Sequence, residues 1–418
     1  MIKEDTLCIL PYVHLYIEPN GEMKPCCIAD GFDEPLNLRK ISIENAFNSP
    51  QMKQLRKDME EGKRNKACDV CYKREDTTGH SPRVDVFNTN TLWNKSEVNE
   101  DYSVSSDFQH IDIRFSNLCN FKCRMCNHGF SSNWYEDMKK IRPDNVGETK
   151  VLKATPTIVE DLIPHLSKVK SFYFAGGEPL IMPEHYKVLK YLHDNGSKKT
   201  FYIKNKDNTH DTTELIDISI HYNTNLSILR FEKTNLIPIW KDFQQIFLSI
   251  SCDGIGKVGE YQRTGFDTVV FEENLKEIKN HFRPVNIQTS EGIGMKYNFQ
   301  YTTTIMNVYH IFDFIDYMMD NEHITKSSQI DFYYAWSPLE VALSNLPQSE
   351  KLKIENFISK HKERYHLKTQ SELNSMIDFM NSYTAQNDEW TNANTKHYIR
   401  QIESVHGGKF EEISPIKL

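Results

Sequence analysis

Residues 117–128 read NLCNFKCRMCNH and follow directly on His110–Phe115, where apolar and polar residues alternate. Alternation with a period of two predicts a strand, so the cysteines sit in the loop that leaves it. The spacing Cys119-x3-Cys123-x2-Cys126 brings three thiols close enough to wrap one side of a cubane iron–sulfur cluster. Ordinary ferredoxin clusters take four cysteines, the fourth often remote; here the next one downstream is Cys252. A cluster held by three thiolates keeps one iron open to an outside ligand. The alternative is a structural zinc site, which closes on four ligands and could recruit His128.

Outward from this loop, strand-like and helix-like segments alternate. Ser171–Phe174 leads into Ala175-Gly176-Gly177-Glu178-Pro179, after which Pro183 opens a helix that Gly196 can close. Further strands are expected at Ile216–Tyr222, Ile246–Cys252, Phe299–Thr304 and Ile330–Tyr334. Strands alternating with helices predict an α/β fold on a parallel sheet. About six strands suit a partial (β/α)6 barrel better than a complete eight-stranded one. The expected organisation is a small cysteine-rich module over 1–75, a polar linker over 76–106, the barrel over 107–345 and a charged helical extension over 346–418, broken near its end by Gly407-Gly408. The basic run 53–66, interrupted by acids, reads as a solvated helix end.

Composition narrows the function classes. The 418 residues carry 50 basic and 58 acidic side chains, a net charge of −8. Without a basic surplus the chain does not read as a nucleic-acid binder. No apolar run approaches the ~18 residues of a membrane span, and the N-terminus MIKEDTLCIL lacks the pattern of a signal peptide. Of nine cysteines, eight fall in three groups: Cys8, Cys26 and Cys27; Cys68 and Cys71; Cys119, Cys123 and Cys126. Clustered cysteines without a secretion signal point to metal ligands in a reducing compartment, with cytoplasm as the expectation.

At Cys119, Cys123 and Cys126 the sequence resembles the radical S-adenosylmethionine (SAM) superfamily, whose hallmark is C-x3-C-x2-C after the first barrel strand. The resemblance implies a 4Fe–4S cluster whose open iron chelates SAM. Electron transfer then cleaves SAM to methionine and a 5′-deoxyadenosyl radical that abstracts a substrate hydrogen. Gly176-Gly177-Glu178-Pro179 matches the family's GGE motif at the SAM amino group. Two glycines let the backbone approach a ligand closely, although the same residues could form an ordinary strand-to-helix turn. YNTN at 222–225 resembles the motif on the ribose side and assigns Asn225 there. SISCDG at 249–254 with Arg263 resembles the element in which a serine, here Ser251, and an arginine hold the SAM carboxylate. A guanidinium suits that task because its planar fork binds carboxylate bidentately.

Cys8-x12-Gly21-x4-Cys26 followed by Cys68-x2-Cys71 resembles the twitch module, a shortened SPASM domain. It implies a second, auxiliary 4Fe–4S cluster on Cys8, Cys26, Cys68 and Cys71. Cys27 could replace Cys26, and a zinc knuckle on the same thiolates is the alternative. Asn20-Gly21 is a favoured two-residue hairpin turn. The module usually follows the barrel, whereas here it precedes it.

Strand parity sorts the two faces of the barrel wall. If Ser251 points inward to SAM, so do Ser249 and Asp253, while Ile246, Leu248, Ile250 and Cys252 face the helices. Likewise Asp217, Ser219 and His221 lie inside with Asp112 and Arg114, and Ile216, Ile218, Ile220, Ile111, Ile113 and Phe115 outside. Gln300, Thr302, Asp331 and Tyr333 are further lining candidates. A complete structural barrel packs aliphatics inside; a polar lining fits SAM and a hydrophilic substrate. Cys252 is then a buried core thiol, not a hydrogen-atom donor, and Met125 is packing beside the cluster.

The function expected is a radical SAM oxidoreductase or modifying enzyme. A peptide or protein substrate stands slightly ahead of a sugar, aminoglycoside or nucleotide-type metabolite. A flavodoxin or ferredoxin is the family's electron donor. A non-catalytic zinc scaffold is the alternative of another class, with no need for GGEP or the Ser251–Arg263 element.

Overall fold

The computed structural model describes residues 6–89, 97–204, 210–282, 293–382 and 388–418. Its centre is a mixed α/β arrangement around a parallel sheet. Among the described residues, strands His14–Ile17, His110–Ile113, Ser171–Phe174, His210–Thr224, Phe243–Ser251, Gly294–Thr303 and Ile330–Tyr334 lie side by side in chain order, all parallel. The six expected strands are all present. The third is longer than expected and folds back on Lys198–Lys204 as an antiparallel pair.

The N-terminal strand was not expected in this sheet. His14–Ile17 pairs in parallel with His110–Ile113, so the cysteine-rich module adds a strand to the edge of the sheet. It then turns into an antiparallel pair with Glu22–Lys24. The connection is a four-residue loop, Glu18 to Gly21, not the two-residue turn expected at Asn20-Gly21: Gly21 N donates to Glu18 O (2.9 Å) and Glu18 N to Glu22 O (2.9 Å). Gly21 takes φ +83° there, a conformation that suits glycine.

Two further differences stand out. The stretch read as a polar linker contains the helix Pro82–Thr89, anchored by Arg83, which pairs with Glu75 at 2.6 Å and donates to Leu7 O at 2.7 Å. The run 53–66 is solvated only past the helix, where Glu61, Lys63, Arg64 and Lys66 are exposed; helix Pro50–Glu60 itself buries Met52, Leu55, Arg56 and Met59. Arg56 spends its guanidinium on the carbonyls of Pro11, Phe47 and Tyr102. Charge run and burial coexist because a helix presents the two on different faces.

The two faces of the sheet divide by parity as expected. Ile111, Ile113, Phe115, Ile216, Ile218, Ile220, Ile246, Leu248, Ile250 and Cys252 are buried in the hydrophobic core. Tyr222, on the same parity, meets helix Pro183–Asn195 through His185 Nε2 at 2.9 Å. The opposite face carries His14, Tyr16, Asp112, Arg114, Tyr173, Ser219, His221, Ser249 and Ser251, neighbours by strand register. After the last strand come helices Gln348–His361, Leu367–Ser382 and Asp388–His406, the last ending at Gly407 and Gly408, both at φ +73°. Among the described residues no helix is long and apolar enough to cross a membrane.

Candidate functional site

Parallel strands deliver the loops that follow them to one edge of the sheet, and four such loops meet there. Cys119, Cys123 and Cys126 follow the His110–Ile113 strand. Their loop closes on itself, Cys126 N donating to Cys123 O at 2.8 Å, and forms a short antiparallel pair in which Cys123 lies opposite Arg263. Burial pushes all three thiols up, Cys126 to about 12, and neighbouring thiols add to the effect at Cys119 and Cys126. Arg263 opposes it at Cys123, with Nη1 3.6 Å from Sγ. Buried thiols with raised pKa hold their protons until a metal replaces them.

The Gly-Gly turn owes its glycines to this loop. A Cβ on Gly177 would stand 2.1 Å from Leu118 O, and one on Gly176, at φ +113°, 2.9 Å from Ser116 O. Glu178 N donates to Leu118 O at 2.8 Å. The Glu178 carboxylate is buried and already shared: Oε1 accepts from Thr224 Oγ1 (2.8 Å) and Leu180 N (3.1 Å), Oε2 from Asn225 N (2.7 Å). Burial still raises it to about 7, partly offset by those donors. Asn225 in turn reaches the cysteine loop, Nδ2 donating to Asn120 Oδ1 at 2.9 Å.

The fourth loop supplies Asp253 and Arg263. Arg263 Nε and Asp253 Oδ2 stand 2.6 Å apart as a buried ion pair that holds the guanidinium beside the cysteine loop. Asp253 Oδ1 accepts from Thr302 N at 2.7 Å. Burial raises Asp253 and Arg263 limits the rise; for Arg263, burial pulls down and Asp253 and Cys123 more than restore it. Asn223 Oδ1 and Asn298 Oδ1, on the same polar face, are buried without a partner. Three thiols beside a guanidinium and several unspent polar atoms form a donor set that fits an iron–sulfur cluster and a zwitterionic ligand. Among the described residues no three His, Cys, Asp or Glu side chains gather on a single metal ion. A cubane cluster needs no such convergence, since each thiolate takes its own iron.

In the N-terminal module Cys8, Cys26, Cys68 and Cys71 are electrostatic neighbours. Burial pushes Cys8 and Cys26 up to about 12 and Cys68 higher, with Cys71 adding to the rise at Cys8 and at Cys68. Cys27 stands apart: it is exposed, and its charged neighbours are Asp112, Arg114 and Glu18. Cys252 donates to Gly254 O at 3.3 Å within the core. Met125 Sδ accepts from Gln262 Nε2 at 3.8 Å.

One group of residues had no signal in the sequence. Arg124, inside the cysteine loop, lies 3.7 Å over the Tyr261 ring and donates from Nη2 to Gly407 O at 2.6 Å. The His406 ring packs tilted against Trp134, centroids 4.4 Å apart, and Trp134 Nε1 donates to Cys123 O at 2.9 Å. The end of the C-terminal helix therefore backs the cysteine loop. The Gly407-Gly408 break marked the helix end but not what it touches.

Comparison with known proteins gives one family match: residues 8–72 match the SPASM model, an iron–sulfur cluster-binding domain. No curated protein matches the chain. Among solved structures, native anSMEcpe with bound AdoMet is similar at 16% identity over 61% of this chain and 60% of that one, TM-score 0.38. The same protein with AdoMet and a Cp18Cys peptide gives 16% identity, 60% and 58% coverage and a TM-score of 0.33. Streptococcus suis SuiB bound to S-adenosylmethionine gives 14% identity, 87% and 70% coverage and a TM-score of 0.33. The chain thus spans about three fifths of the length of anSMEcpe.

Proposed function

We propose that the chain is a radical SAM enzyme with an auxiliary cluster, six of the seven parallel strands, His110–Ile113 to Ile330–Tyr334, forming the wall of a partial barrel and their polar face the inside. The reading rests above all on one observation: four loops remote in sequence are joined at one edge of the sheet. The cysteine loop meets the Gly-Gly turn through Leu118 O, the Asn225 turn through Asn120, and the Arg263 segment through Cys123. The SPASM match over 8–72 supports a second cluster on Cys8, Cys26, Cys68 and Cys71.

In this reading Cys119, Cys123 and Cys126 hold a 4Fe–4S cluster that supplies the electron for cleaving SAM to a 5′-deoxyadenosyl radical. Arg263 and Ser251 receive the SAM carboxylate, the guanidinium through the nitrogens that its Nε contact with Asp253 leaves over. Asp253 holds that guanidinium in place at 2.6 Å. Gly176, Gly177 and Glu178 shape the wall on the amino-group side; with the Glu178 carboxylate already shared, its part is to fix the turn so that backbone atoms face the ligand. Asn225 lies on the ribose side and ties that turn to the cysteine loop.

The substrate is polar and held against the inner face. A peptide or protein is the first class, in keeping with the SPASM match. A hydroxylated metabolite is the second, favoured by a polar cavity on the inner face whose charges cancel. A flavodoxin or ferredoxin would deliver electrons. The test is anaerobic incubation of the reconstituted protein with SAM and dithionite. 5′-Deoxyadenosine should form, and Cys123→Ser should abolish it. SAM left intact by a protein that has taken up iron would refute the reading.

A further inference from the structure

The polar face has a second feature, at the end of the strands opposite the four loops. A cavity of about 370 Å³ reaches from the first residues of three strands, His14, His110 and Ser171, along the face to Asp112, Tyr173, His221 and Ser249. His14 pairs with His110, and Asp112 lines up through Tyr173 with His221. The lining comes from both the N-terminal module and the sheet. Its size falls in the range of small-molecule pockets, ~300–1,000 Å³.

The chemistry of the lining selects its occupant. Burial lowers His14 to about 3 and His221 to about 4, and lowers His110 as well, so all three imidazoles are neutral near pH 7. The charges present cancel: Asp112 is held by Arg114, whose guanidinium also lies 4.6 Å over the Tyr16 ring. An anion would find no spare cation, and a cation no spare carboxylate; burying either uncompensated is costly. Several hydrogen-bonding groups, by contrast, are unspent. Ser171 Oγ, Tyr173 Oη, the His221 ring and Ser249 Oγ have no hydrogen-bond partner among the described residues. His14 uses only Nδ1, on Pro25 O at 3.4 Å. Neutral imidazoles and hydroxyls both donate and accept, as a ligand hydroxyl does. Phe247, whose ring centroid is 5.7 Å from that of His221, and Tyr173 give the pocket aromatic surface.

We propose that this cavity binds an uncharged, hydroxylated ring of monosaccharide size, its hydroxyls on Tyr173, His221, Ser249 and Asp112 and its apolar face on Phe247. The ring can be a free sugar or cyclitol, or the ribose of a nucleoside. The site requires neither a cluster nor SAM, so its failure leaves the radical SAM reading untouched. If the occupant is the substrate, the metabolite class displaces the peptide.

The full-length protein, anaerobically reconstituted with iron and sulfide, is titrated with D-glucose, D-galactose, D-mannose, N-acetyl-D-glucosamine, myo-inositol, uridine and cytidine. Saturation-transfer NMR detects binding, and calorimetry measures it. At least one probe should bind saturably, and Ser249→Ala and Tyr173→Phe should each weaken it about tenfold, the loss of one hydrogen bond. Each removes a single hydroxyl, and circular dichroism checks that the fold persists. Binding by sugars or myo-inositol alone identifies a free ring as the source; binding by nucleosides alone identifies ribose. No saturable binding across the panel, binding indifferent to both substitutions, or binding only of phosphate or acetate controls overturns the proposal.

Discussion

The contact between the Gly-Gly turn and the cysteine loop makes Gly177→Ala the sharpest perturbation. The new Cβ would stand 2.1 Å from Leu118 O and 2.5 Å from Leu118 C, all backbone. Real Cβ atoms do not come within 3.0 Å, so the turn or the loop must retreat by roughly 0.9 Å. That retreat stretches the 2.8 Å bond from Glu178 N to Leu118 O beyond hydrogen-bonding range. The lost bond costs ~1 kcal/mol and the overpacking ~1–3 kcal/mol, together ~2–4 kcal/mol. With a urea dependence of ~3 kcal/mol per molar, the unfolding midpoint of the iron-free protein should fall by ~1 M. After reconstitution, the variant should retain less iron at the cysteine loop. Gly147→Ala, where a Cβ meets nothing within 4 Å, is the matched control. A Gly177→Ala protein with the midpoint and iron content of that control would refute the coupling of turn and loop.

Other substitutions test other joints. Arg124→Lys keeps the charge but can neither lie flat over Tyr261 nor reach both the Tyr261 and Gly407 carbonyls; a loss of ~2–3 kcal/mol is expected by urea unfolding. Cys26→Ser should lower reconstituted iron by about four per chain, one cubane, and Cys27→Ser should not; the reverse result would move the ligand to Cys27. Asp112 is raised by burial, against Arg114, from 3.8 to about 6. A carboxyl that binds its proton more tightly when folded contributes stability that is full below pH ~4 and lost as pH rises through ~6, on the order of 3 kcal/mol. Urea midpoints from pH 4 to 7 should therefore fall less steeply for Asp112→Asn than for the native protein, and parallel slopes would contradict the assignment.

Much of this organisation is written in local pattern. The inner and outer faces follow from the period-two alternation of Ile216–Tyr222 and Ile246–Cys252, because the helices bury whichever parity is apolar. Pro183 opens its helix at the first position, where its fixed φ fits, and Gly196 closes it in an extended conformation where a Cβ would stand 2.4 Å from the Ile216 side chain. The long-range pairings are what local pattern cannot carry. Nothing in HLYI at 14–17 says that it pairs with His110–Ile113; a short apolar strand fits any open edge. Arg124 has an ordinary composition signal, and its partners Tyr261 and Gly407 come from two other parts of the chain. Arg56 misled for a related reason: a charge run looks solvated until three carbonyls from other segments close on one guanidinium. Glu178 has a motif position but not, from sequence, its three donors Thr224, Leu180 and Asn225.

The central claim is that one chain carries two iron–sulfur clusters, one of them open to SAM. Mössbauer and electron paramagnetic resonance spectroscopy of the anaerobically reconstituted protein, with and without SAM, tests it most directly. The account predicts about eight irons per chain in two cubanes, with SAM altering the spectrum of only one of them. That responsive cluster should vanish when Cys119, Cys123 and Cys126 are replaced by serine, leaving the other intact. Zinc in place of iron at both cysteine groups, or two clusters both indifferent to SAM, would contradict it.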